Sequence, residues 1–219
     1  MYRYYCQEHP FIYSLTAQIL ARDAGRIMVE HSPFFPGGGG QLADRGTIIS
    51  NGKSTTVKAV EILPEGVWHT IEKSIGDCDF VEIRVDEYHR TLQCELHTLA
   101  HIVNAIVFKA FDGALLTGAQ LGENGTLRID FDLPGVDNDR LRALEEPINA
   151  AAQEVTKYQP TGCPGTKLSP SMDCFVPSLQ HHREGLMAWL ELSRSENSTS
   201  RHAEEHMSQQ LLCVARFES

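Results

Sequence analysis

Apolar residues fall at Leu92, Leu96, Leu99, Ile102, Val103, Ile106, Val107 and Phe111. Steps of three and four put them on one face of a helix of about five turns, which needs a surface to cover it. What precedes this stretch has a different period. The runs 25–30, 46–50, 55–63 and 80–85 are short and rich in β-branched residues. Asn51 and Gly52 lie between two of these runs and signal a hairpin, since both tolerate positive φ. Residues 121–131 return to strand character, and Asp137-Asn-Asp then offers an N-cap for a second helix over 140–157. Strands on either side of one amphipathic helix predict an α+β fold, an antiparallel sheet packed against that helix. Residues 1–158 are expected to form one domain. Residues 159–219, with clustered Ser, Thr and Glu and no sustained period, are expected to be a disordered or poorly packed tail.

Composition narrows the class. No apolar run reaches the ~18 residues of a membrane span, and no signal-peptide core follows the first residues. The six cysteines show no C-x-x-C spacing, so a zinc ribbon is disfavoured and reduced thiols in a cytoplasmic protein are expected. A formal charge of −10 argues against a broad grip on phosphates, because counterion release drives such binding. An acidic chain can still hold the single-stranded end of an RNA, weakly and through a local site.

Two segments carry chemistry. His97 and His101 are four apart on the predicted helix, so their imidazoles share a face one turn apart and can offer two nitrogens to one Zn²⁺. Thr98 follows His97, where a metalloprotease has its general-base Glu, so that reaction class is disfavoured. By itself, an i,i+4 histidine pair is more often a polar flank than a metal site. The other segment runs from Ser32 to Gly46 and contains four consecutive glycines, Gly37, Gly38, Gly39 and Gly40, followed by Gln41 and Asp44. The glycines let a ligand approach the backbone, Gln41 can donate and accept, and Asp44 can orient a partner or take a ribose hydroxyl. There is no Gly-Lys-Ser/Thr, so this is not a P-loop.

In order and spacing these segments resemble the free-standing alanyl-tRNA editing proteins, the AlaX family, and the related editing domains of alanyl- and threonyl-tRNA synthetases. The resemblance covers roughly the first 155 residues. It rests on the aromatic-Pro-x-Gly-Gly-Gly-Gln-x-x-Asp-x-Gly loop from Phe35 to Gly46 and on Val85, Asp86 and Arg90 leading into His97-Thr-Leu-Ala-His101. A glycine-containing turn with an Asp-Phe-Asp strand end at 130–132, and a helix carrying Asn149, complete it. Ser32 stands where the family usually has Thr. The resemblance implies the synthetase second-additional-domain-like editing fold and hydrolysis of the ester joining serine or glycine to alanine tRNA. It also implies Zn²⁺ held by His97, His101 and a Cys-x-x-x-His pair near the C-terminus, with Ser32, Gly37–Gly40, Gln41 and Asp44 around the tRNA 3′ end.

The second ligand pair is absent as written. Cys163-Pro-Gly-Thr-Lys167 puts a lysine at the ligand position, and a protonated lysine cannot coordinate zinc. Read one base out of frame, however, the codons of Arg201-His-Ala-Glu-Glu-His-Met-Ser208 can be CCA TGC GGA GGA ACA CAT GTC. That spells Pro-Cys-Gly-Gly-Thr-His-Val. The third bases are free choices and the doublets are not. Residues beyond about 156–160 therefore read as translated out of frame, which leaves an incomplete zinc site and impaired editing. Other potential ligands in the tail are Cys163, Cys174, His181, His182, His202 and His206. The alternatives are a non-catalytic tRNA-binding relic of the family and an unrelated α+β domain.

Overall fold

The computed structural model describes residues 4–133 and 138–157, together with the strands at 189–194 and 209–216. The chain forms two compact units, the first ending at Leu92 and the second beginning at Gln93. The first holds α1 (Tyr5–Glu8), β1 (Ser14–Asp23), β2 (Arg26–Val29), β3 (Gly46–Ser50), β4 (Lys53–Leu63), β5 (Gly66–Ile71) and β6 (Phe80–Val85). Helix α2 (Glu87–Ala110) follows and runs on into the second unit. That unit continues with β7 (Leu115–Leu121), β8 (Thr126–Asp132), α3 (Asn138–Arg142), α4 (Glu145–Lys157), β9 (Trp189–Arg194) and β10 (Gln209–Arg216).

The six strands of the first unit close into an antiparallel barrel in the order β1-β2-β5-β4-β3-β6, with β6 returning to β1. Alternating residues fill it. Val81, Ile83 and Val85 point inward from β6, joined by Ala17, Ile27, Val29, Ile48 and Ile71. On β4 the inward set is Thr55, Val57 and then Val60, because a bulge between Val57 and Ala59 shifts the phase by one residue. Asn51 and Gly52 take φ of 50° and 72° and turn β3 into β4 with Ser50 opposite Lys53, the hairpin the sequence predicts. Gly46 is required where β3 meets β6, since a Cβ there would lie 2.1 Å from the Arg84 carbonyl oxygen.

In the second unit β7-β8-β10-β9 make a four-stranded antiparallel sheet. Leu127, Ile129 and Phe131 of β8 are fully buried, as are Leu96, Val103 and Val107 of α2 and Ile148 of α4. Gln93 of α2 donates its side-chain amide to the Gly122 carbonyl beyond β7 (3.0 Å).

The mixed α+β character and the antiparallel pairing follow the sequence reading. The single sheet does not: a closed barrel and a separate four-stranded sheet replace it. β5 escaped notice because the polar His69 is buried within it, whereas β1 carries an ordinary alternation, Leu15, Ala17 and Ile19 inward and Thr16 and Gln18 exposed, that the sequence reading passed over. The strand expected over 121–131 is two strands joined by a turn in which Gly125 has φ 73°. The helix expected over 140–157 breaks between Arg142 and Glu145. Pro147 accounts for this, since its ring would clash with the carbonyl of Ala143 in a continuous helix but is tolerated in a first turn. Within 159–219 the described backbone is that of β9 and β10, both built into the sheet. The expectation for the rest of that stretch lies outside the described residues.

Candidate functional site

In the first unit the glycine segment is a backbone-built loop. Gly37, Gly38, Gly39 and Gly40 all have positive φ, from 61° to 129°. Gly38 and Gln41 exchange both backbone hydrogen bonds (3.0 and 3.1 Å) around Gly39 and Gly40, whose φ signs are those of a type I′ turn. A side chain at Gly37 would also crowd the Ala43 backbone nitrogen at 3.1 Å.

The loop is pinned at its base. The Asp44 carboxylate accepts from the Phe35 backbone N–H (2.5 Å) while the Asp44 N–H donates to the Phe35 carbonyl (2.9 Å). Arg90, in the first turns of α2, donates Nε to both carboxylate oxygens of Asp44 (2.7 and 2.9 Å) and Nη2 to one of them. The two side chains are 2% and 1% exposed, so this is a fully desolvated, bidentate pair. Arg90 Nη2 also reaches the Pro33 carbonyl (2.7 Å). The preceding residue helps: His89 Nε2–H donates to the Ala43 carbonyl (3.1 Å). Asp86 caps the helix by accepting the His89 backbone N–H (3.0 Å). The carboxylate of Asp44 is thus engaged inside the protein, and any part it plays toward a ligand runs through the loop it holds.

Ser32, at the loop entrance, is also engaged. Its Oγ lies 2.8 Å from His69 Nε2 and accepts the Phe34 N–H (3.2 Å). Since the other ring nitrogen of His69 faces the Ile27 carbonyl (3.4 Å), Nδ1 carries the proton and Ser32 donates to Nε2. Burial pushes the His69 pKa down to about 4, consistent with a neutral ring. His69 and the anchoring roles of His89 and Arg90 were not read from the sequence. Ser32 and His69 are 37 residues apart on different strands or loops, and no motif links them.

In the second unit His97 and His101 lie on α2 with ring centroids 5.1 Å apart and planes within 13° of parallel. His97 is shifted below its ordinary value, by burial first and by the charge of His101 second. Glu95, two residues earlier, is raised to about 7 by burial. The histidine pair offers two nitrogens of the three or four that a zinc site uses. Among the described residues no group of three or more His, Cys, Asp or Glu side chains could hold a metal. The described donor set therefore falls short of a zinc site. Cys163, Lys167, Cys174, His181, His182, His202 and His206 lie outside the described residues. Asn149 on α4 keeps a buried Oδ1 without a hydrogen-bond partner among the described residues.

With this geometry in view, the comparisons with known proteins point one way. The chain is 28% identical over 158 residues to the alanine–tRNA ligase of Methanothrix thermoacetophila, covering 69% of this chain and 17% of that one. It is 33% identical over 144 residues to the alanine–tRNA ligase of Tropheryma whipplei (64% and 16% covered), and 30% over 138 to that of Carboxydothermus hydrogenoformans (61% and 16%). The chain is thus homologous to part of the alanine–tRNA ligases and spans about 16–17% of the length of these curated relatives. No family model matches it. Among the described residues no helix is long and apolar enough to cross a membrane.

Proposed function

We propose that this chain is an aminoacyl-tRNA editing hydrolase of the AlaX kind, which removes serine or glycine from alanine tRNA. The observation that carries the reading is the content of helix α2. It holds the anchors of the glycine loop, His89 and Arg90, and, seven and eleven residues beyond Arg90, the histidine pair. Homology to alanine–tRNA ligases points to the same substrate class.

In this reading the loop from Ser32 to Asp44 receives the 3′ end of the tRNA. The glycines admit the ribose to the backbone, Gln41 hydrogen-bonds it, and loop amides face the negative charge that develops on the ester carbonyl. Asp44 and Arg90 keep those amides in place, so no reorganisation is needed during reaction. His97 and His101 would hold Zn²⁺, which supplies Lewis-acid chemistry when bound. The remaining ligands belong to the Cys-x-x-x-His pair that the shifted frame spells, and their loss leaves this chain impaired.

A second reading, a non-catalytic tRNA-binding relic, is favoured by the two-ligand count among the described residues. One experiment separates them. The chain as written and a version with the alternate frame restored after about residue 158 are purified, and zinc content and deacylation of seryl-tRNA specific for alanine are measured. The restored protein should carry one zinc and deacylate, while the written chain should do little of either. Absence of both from the restored protein would sink the hydrolase reading.

A further inference from the structure

Beside the loop, on the first unit, three aromatic rings cluster at the surface, with Tyr5 stacked on His31 and tilted against His9. The Tyr5 ring lies 5.0 Å from that of His31 at an interplanar angle of 20°, and 4.5 Å from that of His9 at 45°. His9 and His31 are exposed and Tyr5 is half-buried. We propose that this ring stack is a platform for the unpaired bases at the 3′ end of an RNA. The inference rests on the tRNA reading above and adds a binding surface to it.

Placement is the first argument. His31 immediately precedes Ser32, whose hydroxyl is fixed on His69 at the loop entrance. At the other side of the stack, the Pro10 carbonyl accepts from Arg90 Nη1 (3.4 Å), the residue that pins Asp44. Cys6, next to Tyr5, is buried and feels the charges of both Arg90 and Asp44. The stack and the glycine loop are thus fastened to one ion pair, and a base resting on the stack is held beside the loop.

Charge is the second argument. A chain of net charge −10 gains little from phosphate neutralisation. Here the local field is unfavourable to phosphates as well: Glu8 is exposed, and the Glu30 carboxylate lies 3.9 Å from His31 Nε2. An RNA end that binds at this place must do so through base faces, and flat rings provide that contact without sequence preference. A metal site is the competing use of two histidines. Tyr5 contacts both rings, and no group of three metal-binding side chains exists among the described residues.

The test uses the full chain and a short oligoribonucleotide ending in C-C-A, with 2-aminopurine in place of the terminal adenine. Stacking quenches this base, and the probe carries no ester, so the signal reads binding alone. Wild-type protein should quench it. His31→Ser and Tyr5→Leu should bind roughly tenfold more weakly and lose the quench, while His31→Phe keeps a ring and should retain it. Thermal melting checks that each variant folds. No quench with wild-type protein, or equal quench with His31→Ser and His31→Phe, would overturn the platform. Deacylation is scored separately in the frame-restored protein. Activity without quench discards the platform and leaves the hydrolase reading standing. Quench without activity discards the hydrolase and leaves the platform.

Discussion

Asp44 and Arg90 face each other 46 residues apart in sequence, joined by two Nε contacts of 2.7 and 2.9 Å with both side chains almost wholly withdrawn from water. Removing one partner leaves a buried charge uncompensated, which costs about 3–5 kcal/mol. Arg90→Met and Asp44→Asn should therefore each lower the free energy of unfolding by several kcal/mol in urea melts. The double variant should cost less than the sum of the two. Additive losses would show that the pair does not act as a unit.

The buried His69 makes stability depend on pH. Its pKa is about 4 in the fold against an ordinary 6.5, so between these values the unfolded chain binds more protons. Stability from this residue is present above pH 6.5 and is lost as pH falls toward 4, to a total of about 3 kcal/mol. His69→Gln keeps hydrogen-bonding capacity and cannot titrate. Its urea midpoint should fall less than the wild type's between pH 7 and pH 4.5, and identical falls would contradict the assignment.

Two glycines with nearly the same backbone separate strain from crowding. Gly25 and Gly37 have φ of 85° and 90°, but only Gly37 has a neighbour in the way, the Ala43 nitrogen at 3.1 Å. Alanine at either position costs about 1–2 kcal/mol for the left-handed backbone. Gly37→Ala should cost measurably more than Gly25→Ala in thermal melts, and it alone should raise the KM for seryl-tRNA in the frame-restored protein.

The histidine pair has its own test. In the frame-restored protein, His97→Ala and His101→Ala should each weaken zinc binding about a hundredfold or more, read by chelator competition with folding verified by circular dichroism. Zinc affinity unchanged in both would remove α2 from the metal site.

How much of this was legible in the sequence depended on range. Helix α2 and the Asn51–Gly52 hairpin were readable because each is decided by residues within a few positions of one another. The glycine loop was readable as a loop, but not its anchoring: Asp44 looked like a ligand contact because a carboxylate gives no local sign of its partner. Arg90 lay in a quoted motif without a role, and His69 in an apolar strand without any motif. Barrel closure was invisible for the same reason, since β1 pairs with β6 across more than fifty residues and no turn chemistry announces it. The spacing of His97 and His101 singled the pair out and the family resemblance gave it a role, and the described residues hold the pair together on one helix.

The pairing of β8 with β10 matters for the order of assembly. Phe131 pairs with Gln209, a separation of 78 residues (209 − 131), whereas every strand of the barrel lies before residue 86. Closing so long a loop is entropically slow, so on a growing chain the barrel can be complete while β8 still waits for its neighbour. In that interval Leu127, Ile129 and Phe131 sit on a strand with one open edge, a template for pairing with another chain. Truncation before residue 209 would make the interval permanent, so yield and solubility on expression should depend on the last ten or so residues.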